Sequence, residues 1–189
     1  EIYPHENLVE SKGSVPAEIA QDIKQKCINL GFYACNFPEN IGGAGLNHLD
    51  FALVERELGR GSMALTHFFG RPQNILMACK DEQIEKYLLP AVRGELMDAL
   101  AMTEPDAGSD VRGMKCFAKS EGTDWIVNGT KHFISGAEHA DFVIVFIATG
   151  EEKTPKGPKK KITAFLVDRG MPGFVIRDGY NSVSHKGYK

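Results

Sequence analysis

Two short segments contain residue types that suit contact with a polar ligand. They are Thr103-Glu-Pro-Asp-Ala-Gly-Ser-Asp110, which follows an apolar run, and Asn128-Gly-Thr-Lys-His-Phe-Ile-Ser135. Gly108 and Ser109 expose backbone amides and a hydroxyl, groups that commonly hold a phosphate or the polar edge of a ring. The alternative is a capped turn in which Asp106 and Ser109 satisfy local backbone donors. The residues of either segment alone leave both interpretations open.

The residue types of the first segment also suggest two other chemistries. Asp106, Gly108 and Asp110 lie close together, as in a calcium loop, but the closing Glu of an EF-hand is replaced by Phe117. We therefore exclude calcium. A carboxylate pair of Glu104 and Asp110 for acid and base catalysis is conceivable, although nothing else positions a labile bond between them.

The composition limits the classes of function. With 22 basic and 25 acidic residues among 189, the net charge is −3, so there is no positive field for nucleic acid. The four cysteines form no C-x-x-C pair, which predicts a reducing compartment and no zinc site. Apolar runs such as 142–148 are far shorter than the ~20 residues of a spanning helix, so we expect no membrane insertion.

The first part of the chain has helical periodicity. Apolar residues over 16–30 predict an amphipathic helix, with Ser14 as its cap and Gly31 at its end. The following stretch, 36–45, contains three glycines and a proline, so it must turn or allow close backbone approach. Helical patterns return after it.

A second helix is expected to be capped by Asn47 or Asp50, and a short third one over 81–89 is expected to end at Pro90. Almost nothing up to this point alternates with the period of a strand. We therefore predict an N-terminal helical domain over residues 1–97, incomplete at its start because the sequence opens on Glu1.

The pattern changes to short β-branched and aromatic runs separated by turns at 121–124 and 128–129. The predicted strands are 98–102, 114–119, 124–127, 132–135, 142–148, 162–167 and 174–176. Their spacing favours an antiparallel barrel or sandwich over residues 98–189, with a polar, lysine-rich hairpin loop at 150–161. The sequence stops at Lys189 without a strand end, which predicts a fragment.

Taken together, these segments resemble the acyl-CoA dehydrogenase family. The first two match its T-E-P-x-A-G-S-D and N-G-x-K-x-[FW]-I-[TS] motifs, in the family's order. Pro38-Glu-Asn-Ile-Gly-Gly-Ala-Gly45 is similar to its glycine-rich loop, and Tyr87-Leu-Leu-Pro-Ala-Val-Arg-Gly94 to its L-P-x-L-x-x-G stretch. The likeness continues to Pro172-Gly-Phe174 and covers essentially the whole chain.

The resemblance implies an α+β fold, in which an all-helical N-terminal domain precedes a middle β-domain. The family's C-terminal four-helix domain has no counterpart in this sequence. Flavin adenine dinucleotide (FAD) lies between the middle and C-terminal parts in the family, so this chain is expected to supply only one side of the site and to bind flavin weakly.

The resemblance also implies positions for the cofactor. The residues that it places at the flavin are Leu100, Met102, Thr103, Gly108, Ser109, Phe133, Ile134 and Ser135. Backbone groups of Met102 and Thr103 would hold the pyrimidine edge, and Ser109 would also meet the CoA arm of the substrate. Phe133 could stack on the ring, and the Ser135 hydroxyl could donate to flavin N5.

The implied reaction is α,β-dehydrogenation of an acyl-CoA to a trans-2-enoyl-CoA, with electrons passed to an electron-transfer flavoprotein. The family's catalytic base comes from the C-terminal domain, so no catalytic residue is expected here, and no turnover by this chain alone. A homodimer or homotetramer in bacterial cytoplasm or the mitochondrial matrix is expected. The alternatives are an acyl-CoA oxidase, a flavin monooxygenase, or a noncatalytic assembly protein on the same scaffold.

One further feature has two interpretations under the resemblance. Lys159, Lys160 and Lys161 stand where such proteins often meet the phosphorylated adenosine end of CoA. Charge runs are usually just solvated, so the favoured interpretation is a solvated loop.

Overall fold

The computed structural model describes residues 2–155, 157–177 and 179–188. The chain divides into two compact units, Glu1–Asp98 with Tyr180–Lys189, and Ala99–Gly179. The predicted chain ends, Glu1 and Lys189, lie outside the described residues. Helices followed by a sheet confirm the predicted fold class.

The first unit is built from helices and short helical turns. Its α-helices are α1 (Tyr3–Lys12), α2 (Ala17–Asn29), α3 (His48–Leu58), α4 (Met63–Thr66) and α5 (Leu89–Val92). Shorter 3-10 turns lie at Glu39–Ile41, His67–Phe69 and Asn74–Ala78. The largest fully buried side chains in this unit include Phe37, Leu65 and Leu76.

The ends of the helices differ in part from the predictions. Asn47 caps α3 as expected, because its Oδ1 accepts from the N–H groups of Leu49 and Asp50 at 2.9 and 3.0 Å. For α2, however, Ser14 is not the cap, because Pro16 occupies the N-cap position. Gly31 ends the helix as expected: its φ is +73°, and its N–H donates to the Ile28 carbonyl at 3.0 Å. The amphipathic pattern thus predicts the helix and its last turn, but not the residue at which the helix begins.

The helix predicted to end at Pro90 continues to Val92, which corrects the prediction. A π-helical turn, Ile84–Leu88, precedes α5, and the Leu89 N–H donates to the Ile84 carbonyl. Pro90 has no N–H to donate, and it falls in the first turn of α5, where a missing donor costs little. The widened turn therefore lets the chain pass through proline without ending the helix.

The glycine-rich loop at 42–45 makes the close backbone approach expected from its sequence. A Cβ at Gly43 would lie 2.1 Å from the Phe37 carbonyl oxygen. No side chain larger than hydrogen fits there, so this glycine is a packing requirement.

Among the described residues, five strands form one sheet, and all of their residues except Asp98 belong to the second unit. They are β1 (Asp98–Ala101), β2 (Phe117–Glu121), β3 (Asp124–Asn128), β4 (Phe142–Thr154) and β5 (Gly157–Asp168). The order is β1-β4-β2-β3, and β5 also pairs with β4. Strand β4 therefore borders β1, β2 and β5.

The sheet is mixed, whereas an antiparallel arrangement was predicted. β2 and β3 form an antiparallel hairpin through the predicted turn at Gly122, and β4 and β5 are also antiparallel. β2 and β4, however, are parallel at Phe117 and Ala148. The long connection through β3 and residues 129–141 returns the chain to the starting end of β2, which allows this pairing.

Two segments predicted as strands are not strands. One segment predicted as a loop belongs to a pair of strands. Residues 132–135 and 174–176 have no strand pairing, although Phe174 and Ile176 still pack against the core. The lysine-rich segment 150–161, predicted as a loop, continues β4 and β5 as a paired ribbon as far as Thr154 and Gly157; position 156 lies outside the described residues. Regular cross-strand hydrogen bonds override the low strand propensity of this polar sequence.

One face of the sheet carries the core of the second unit. Val143, Val145 and Ile147 of β4 belong to it, as do Ala99 and Ala101 of β1. Phe142 and Ile144, which alternate with them along β4, are buried as well. The Trp125 and Phe165 rings meet edge to face at 5.7 Å, which links β3 to β5. Among the described residues, no helix combines the length and apolarity needed to cross a membrane.

Candidate flavin-site wall

The first motif forms a tight turn directly after β1. The Glu104 N–H donates to the Ala107 carbonyl at 2.8 Å, and the Ala107 N–H donates back at 3.3 Å. Asp110 then caps a 3-10 turn, Val111–Gly113, by accepting from the Arg112 N–H. Asp106 pairs instead with the Lys115 ammonium at 2.7 Å. Gly108 and Ser109 lie exposed between the Glu104–Ala107 turn and the 3-10 turn that Asp110 caps.

The Glu104 carboxylate is buried beneath this turn. It accepts from the backbone N–H groups of Lys115 and Cys116, at 2.5 and 3.1 Å, and from the Lys131 ammonium at 2.8 Å. Burial by itself would raise the pKa of Glu104, but the hydrogen bonds from Lys131, Cys116 and Lys115 outweigh it and lower the pKa to about 2. A carboxylate held this way is a structural anion, so Glu104 is not half of an acid and base pair with Asp110.

The second motif lies alongside the first. The Lys131 ammonium also donates to the Met102 carbonyl at 2.9 Å, and the His132 N–H donates to the Thr103 carbonyl at 2.8 Å. Consecutive residues of one segment are therefore bonded to consecutive residues of the other. The two motifs, far apart in sequence, form one continuous surface.

Gly129 fixes the second motif against the start of β2. Its φ is +142°, and a Cβ there would lie 2.2 Å from the Cys116 Sγ and 2.8 Å from the Cys116 Cα. The Cys116 thiol in turn donates to the Thr130 carbonyl at 3.4 Å. The glycine of N-G-x-K is required because the backbones touch.

Phe133 adopts the left-handed region, with φ of +57°, which explains why residues 132–135 are not a strand. Its side chain is 68% exposed, and the His132 ring stacks on it with 3.9 Å between ring centroids. Left-handed backbone costs a non-glycine residue about 1 kcal/mol. An exposed aromatic ring held in a strained conformation is typical of a functional site.

Ser135 opens a turn that Arg169 holds in place. The Ala140 N–H donates to the Gly136 carbonyl, and the Arg169 guanidinium donates to the carbonyls of Ala137 and Ala140, at 2.6 Å each. Ser135 itself is exposed, whereas the neighbouring Ile134 packs against the core. The predicted wall thus consists of an anchoring Ile134 between two exposed side chains.

Leu100 and Met102 complete the predicted set. In β1, Ala99 and Ala101 face the core, so Leu100 lies on the opposite face of the strand. Met102 and Thr103 are half-buried, and both have their carbonyls held by the second motif. The structure therefore brings Met102 and Thr103 to the segment containing Phe133, Ile134 and Ser135, and leaves Gly108 and Ser109 at the outer turn.

The lysine run at 159–161 is not a solvated loop, which corrects the favoured interpretation. Lys159 lies 3.6 Å from Glu152 across the β4–β5 ribbon, and the Lys160 ammonium donates to the Met114 carbonyl at 2.5 Å. Two of the three charges already have partners, since the ribbon places them beside complementary groups.

Lys131 and Arg169 are site residues that sequence reasoning missed. Lys131 has no predicted role beyond its place in the second motif, and Arg169 has none. The opposite charges of Glu104 and Lys131, one in each motif, were the available signal for the first. Nothing near Arg169 in the sequence marks its carbonyl partners.

The chain matches two family descriptions over nearly its whole length. Residues 1–95 match the family description "Acyl-CoA dehydrogenase, N-terminal domain", and residues 99–189 match "Acyl-CoA dehydrogenase, middle domain". The chain belongs to the acyl-CoA dehydrogenase family, as its motifs predicted.

Characterised relatives are similar across most of the chain. A 3-(aryl)acrylate reductase of Clostridium sporogenes is 36% identical over 92% of this chain and 45% of its own length. The mitochondrial isovaleryl-CoA dehydrogenase of Pongo abelii is 40% identical over 84% of this chain and 38% of its own. The chain thus spans less than half the length of these relatives.

Solved structures agree in fold. An acyl-CoA dehydrogenase from Bacillus anthracis complexed with FAD superposes with a TM-score of 0.80 at 27% identity, over 100% of this chain and 32% of that one. A Mycobacterium smegmatis glutaryl-CoA dehydrogenase in complex with FADH2 gives 0.79 at 26% identity, over 98% and 46%.

Proposed function

We propose that this chain forms one wall of the flavin site of an FAD-dependent acyl-CoA dehydrogenase. The observation that carries the proposal is the direct bonding of the two motifs, through the 2.8 Å hydrogen bond from the His132 N–H to the Thr103 carbonyl. It places one backbone edge and one exposed aromatic ring on the same surface. FAD in the two superposed structures supports the same assignment.

The residues present fit a flavin. Exposed Phe133, fixed at positive φ, offers an aromatic face for a planar ring, and exposed Ser135 offers a hydroxyl that can donate to a ring nitrogen. When bound, FAD would accept the two electrons removed from the acyl chain. Leu100, Met102 and Thr103 would line the pyrimidine side, and Ile134 would anchor the opposite segment.

The exposed turn at Gly108 and Ser109 is proposed to meet the pyrophosphate of the cofactor, with Ser109 also contacting the CoA arm. A Cβ at Gly108 would meet nothing within 4 Å, so the turn is open to a ligand. In the lysine run at 159–161, Lys161 is the exposed residue.

No catalytic residue is assigned to this chain. Glu104 has a pKa of about 2 and a buried carboxylate, so it is unsuited to remove a proton near neutral pH. We propose that the base lies in a part of the protein outside these 189 residues, and that residues 1–97 and 98–189 are the helical and middle domains.

The proposal extends to partners. The substrate would be an acyl-CoA and the electron acceptor an electron-transfer flavoprotein; a relative from Acetobacterium woodii is named as a subunit of a caffeyl-CoA reductase-Etf complex. A location in bacterial cytoplasm or the mitochondrial matrix fits the bacterial and mitochondrial relatives. A homo-oligomer is part of the proposal as well.

Titration of the chain with FAD tests the cofactor assignment. We expect weak, saturable quenching of flavin fluorescence, and at least tenfold weaker binding by Phe133→Ala. Phe117→Ala is the matched control, since Phe117 is also an exposed aromatic residue of the second unit but lies outside both motifs. Absence of quenching at millimolar FAD, or equal loss in both variants, would refute the assignment.

A further inference from the structure

The buried ion pair between Lys131 and Glu104 lies where the two motifs meet. The Lys131 side chain is 9% exposed and the Glu104 side chain 3%. The single ammonium group reaches both the Glu104 carboxylate, at 2.8 Å, and the Met102 carbonyl, at 2.9 Å. Its position is therefore fixed by one residue on each side of Thr103.

The other carboxylate contacts anchor the pair to the sheet. Glu104 accepts from the N–H groups of Lys115 and Cys116, immediately before β2. Lys131 is thus attached through Glu104 to the beginning of a core strand. The residue after Lys131 donates to the Thr103 carbonyl, and the next one is Phe133.

The charge also acts on the peptide between Met102 and Thr103. A carbonyl that accepts a hydrogen bond from an ammonium group is polarised, and the N–H of the same peptide becomes a stronger donor. The Thr103 N–H belongs to that peptide. The ammonium therefore both holds the edge of the wall and strengthens one of its donors.

We propose that Lys131 and Glu104 are positioning residues of the flavin wall: they set the Met102–Thr103 backbone edge and the left-handed turn that presents Phe133. This inference rests on the proposed function. Neither side chain needs to touch the cofactor, because both act through the backbone of the residues that would.

A pair that only stabilised the fold would behave differently on mutation. Removing one partner leaves a buried charge uncompensated, which is strongly destabilising, whereas removing both relieves that penalty. Stability should then recover in the double variant, and flavin affinity should recover with it. A positioning role predicts that affinity stays low, because the Met102 carbonyl has lost its clamp.

The variants are Lys131→Met, Glu104→Gln and the double variant E104Q/K131M, with Lys131→Arg as the conservative change. Lys115→Met is the matched control, since the Lys115 ammonium makes an exposed ion pair with Asp106 in the same cluster. Each is measured by chemical denaturation, FAD titration and amide hydrogen exchange.

We expect E104Q/K131M to be more stable than Lys131→Met, yet to bind FAD at least tenfold more weakly than the wild type. Its His132 amide should exchange at least tenfold faster, while the amides of β4 keep their protection. Lys131→Arg should retain more affinity than Lys131→Met, and Lys115→Met should match the wild type.

The inference is overturned if the double variant binds FAD within twofold of the wild type, or if its His132 amide stays protected. Hydrogen exchange needs no cofactor, so it decides the positioning role even if Lys131→Met fails to fold. If the His132 amide exchanges rapidly in the double variant but the wild type itself does not bind FAD, the proposed function is refuted and the positioning role is not.

Discussion

The Lys131 Nζ lies 2.8 Å from the Glu104 Oε1, and the two residues are 27 positions apart in the sequence. Each belongs to a different motif, so neither motif is complete without the other. The pair has measurable consequences for stability because Glu104 ionises far below its ordinary range.

Acidification should weaken the second unit through Glu104. Its pKa is lowered from 4.5 to about 2, so its contribution is present above about pH 4.5 and is lost as the pH falls towards 2. The shift corresponds to about 3 kcal/mol. This loss of stability is measured by denaturation monitored through the fluorescence of Trp125, the only tryptophan of the chain.

Glu104→Gln serves as the reference for this titration. The variant should be less stable than the wild type at pH 7, and the difference should shrink as the pH falls. A difference that stays constant from pH 7 to pH 2 would contradict the role assigned to the carboxylate.

Asp98 should have the opposite pH dependence. Burial raises its pKa from 3.8 to about 6, despite a hydrogen bond from the Gln73 N–H at 3.1 Å. A raised pKa means that the stability it contributes is present below about pH 3.8 and is lost as the pH rises through 6. Asp98→Asn, which keeps an oxygen acceptor for Gln73, should be about 1 to 2 kcal/mol more stable than the wild type at pH 7.

The measurement is denaturation at pH 7 and at pH 4, monitored by the circular dichroism of the helices. The advantage of Asp98→Asn should disappear at pH 4, where the wild-type carboxyl is largely protonated. An advantage of equal size at both values would show that ionisation is not its cause.

Gly129→Ala should destabilise the second unit by about 2 to 4 kcal/mol, because the new Cβ would overlap the Cys116 backbone and sulfur. Gly108→Ala is the control, since its Cβ would enter open space. Midpoints of chemical denaturation compare the two. Similar midpoints for both variants would mean that the second motif is free to move away from β2.

Phe133→Gly should be more stable than Phe133→Ala by about 1 kcal/mol, because only glycine adopts positive φ without cost. Both variants remove the exposed ring, so their difference isolates the backbone strain. Thermal unfolding of the two proteins provides the comparison. Equal stability would indicate that the segment relaxes out of the left-handed conformation when the ring is removed.

The sequence predicted elements whose causes are local, and failed where distant contacts decide. The Asn47 cap and the turn at Gly122 follow from neighbouring residues, and both were anticipated. The left-handed Phe133 was mistaken for a strand, because its conformation depends on bonds from its neighbours to Met102 and Thr103. The paired ribbon at 150–161 was likewise hidden by a composition typical of loops.

The same distinction applies to the site. Its motifs and their family were readable from residue type and order, and the family is confirmed. The sequence did not predict the pairing of Glu104 with Lys131 or the contacts of Arg169. These contacts arise only when segments far apart in sequence are brought together. The roles of individual residues at the cofactor stay predictions.

The central position of β4 sets an order of events for folding. β1 precedes β4 by some forty residues, so it gains its neighbour only after a long loop closes, whereas β4 and β5 are joined by a short turn. During synthesis, the local hairpins β2–β3 and β4–β5 are therefore expected to form before β1 pairs with β4. The ligand-facing surface, although encoded early in this unit, would be among the last parts to become ordered.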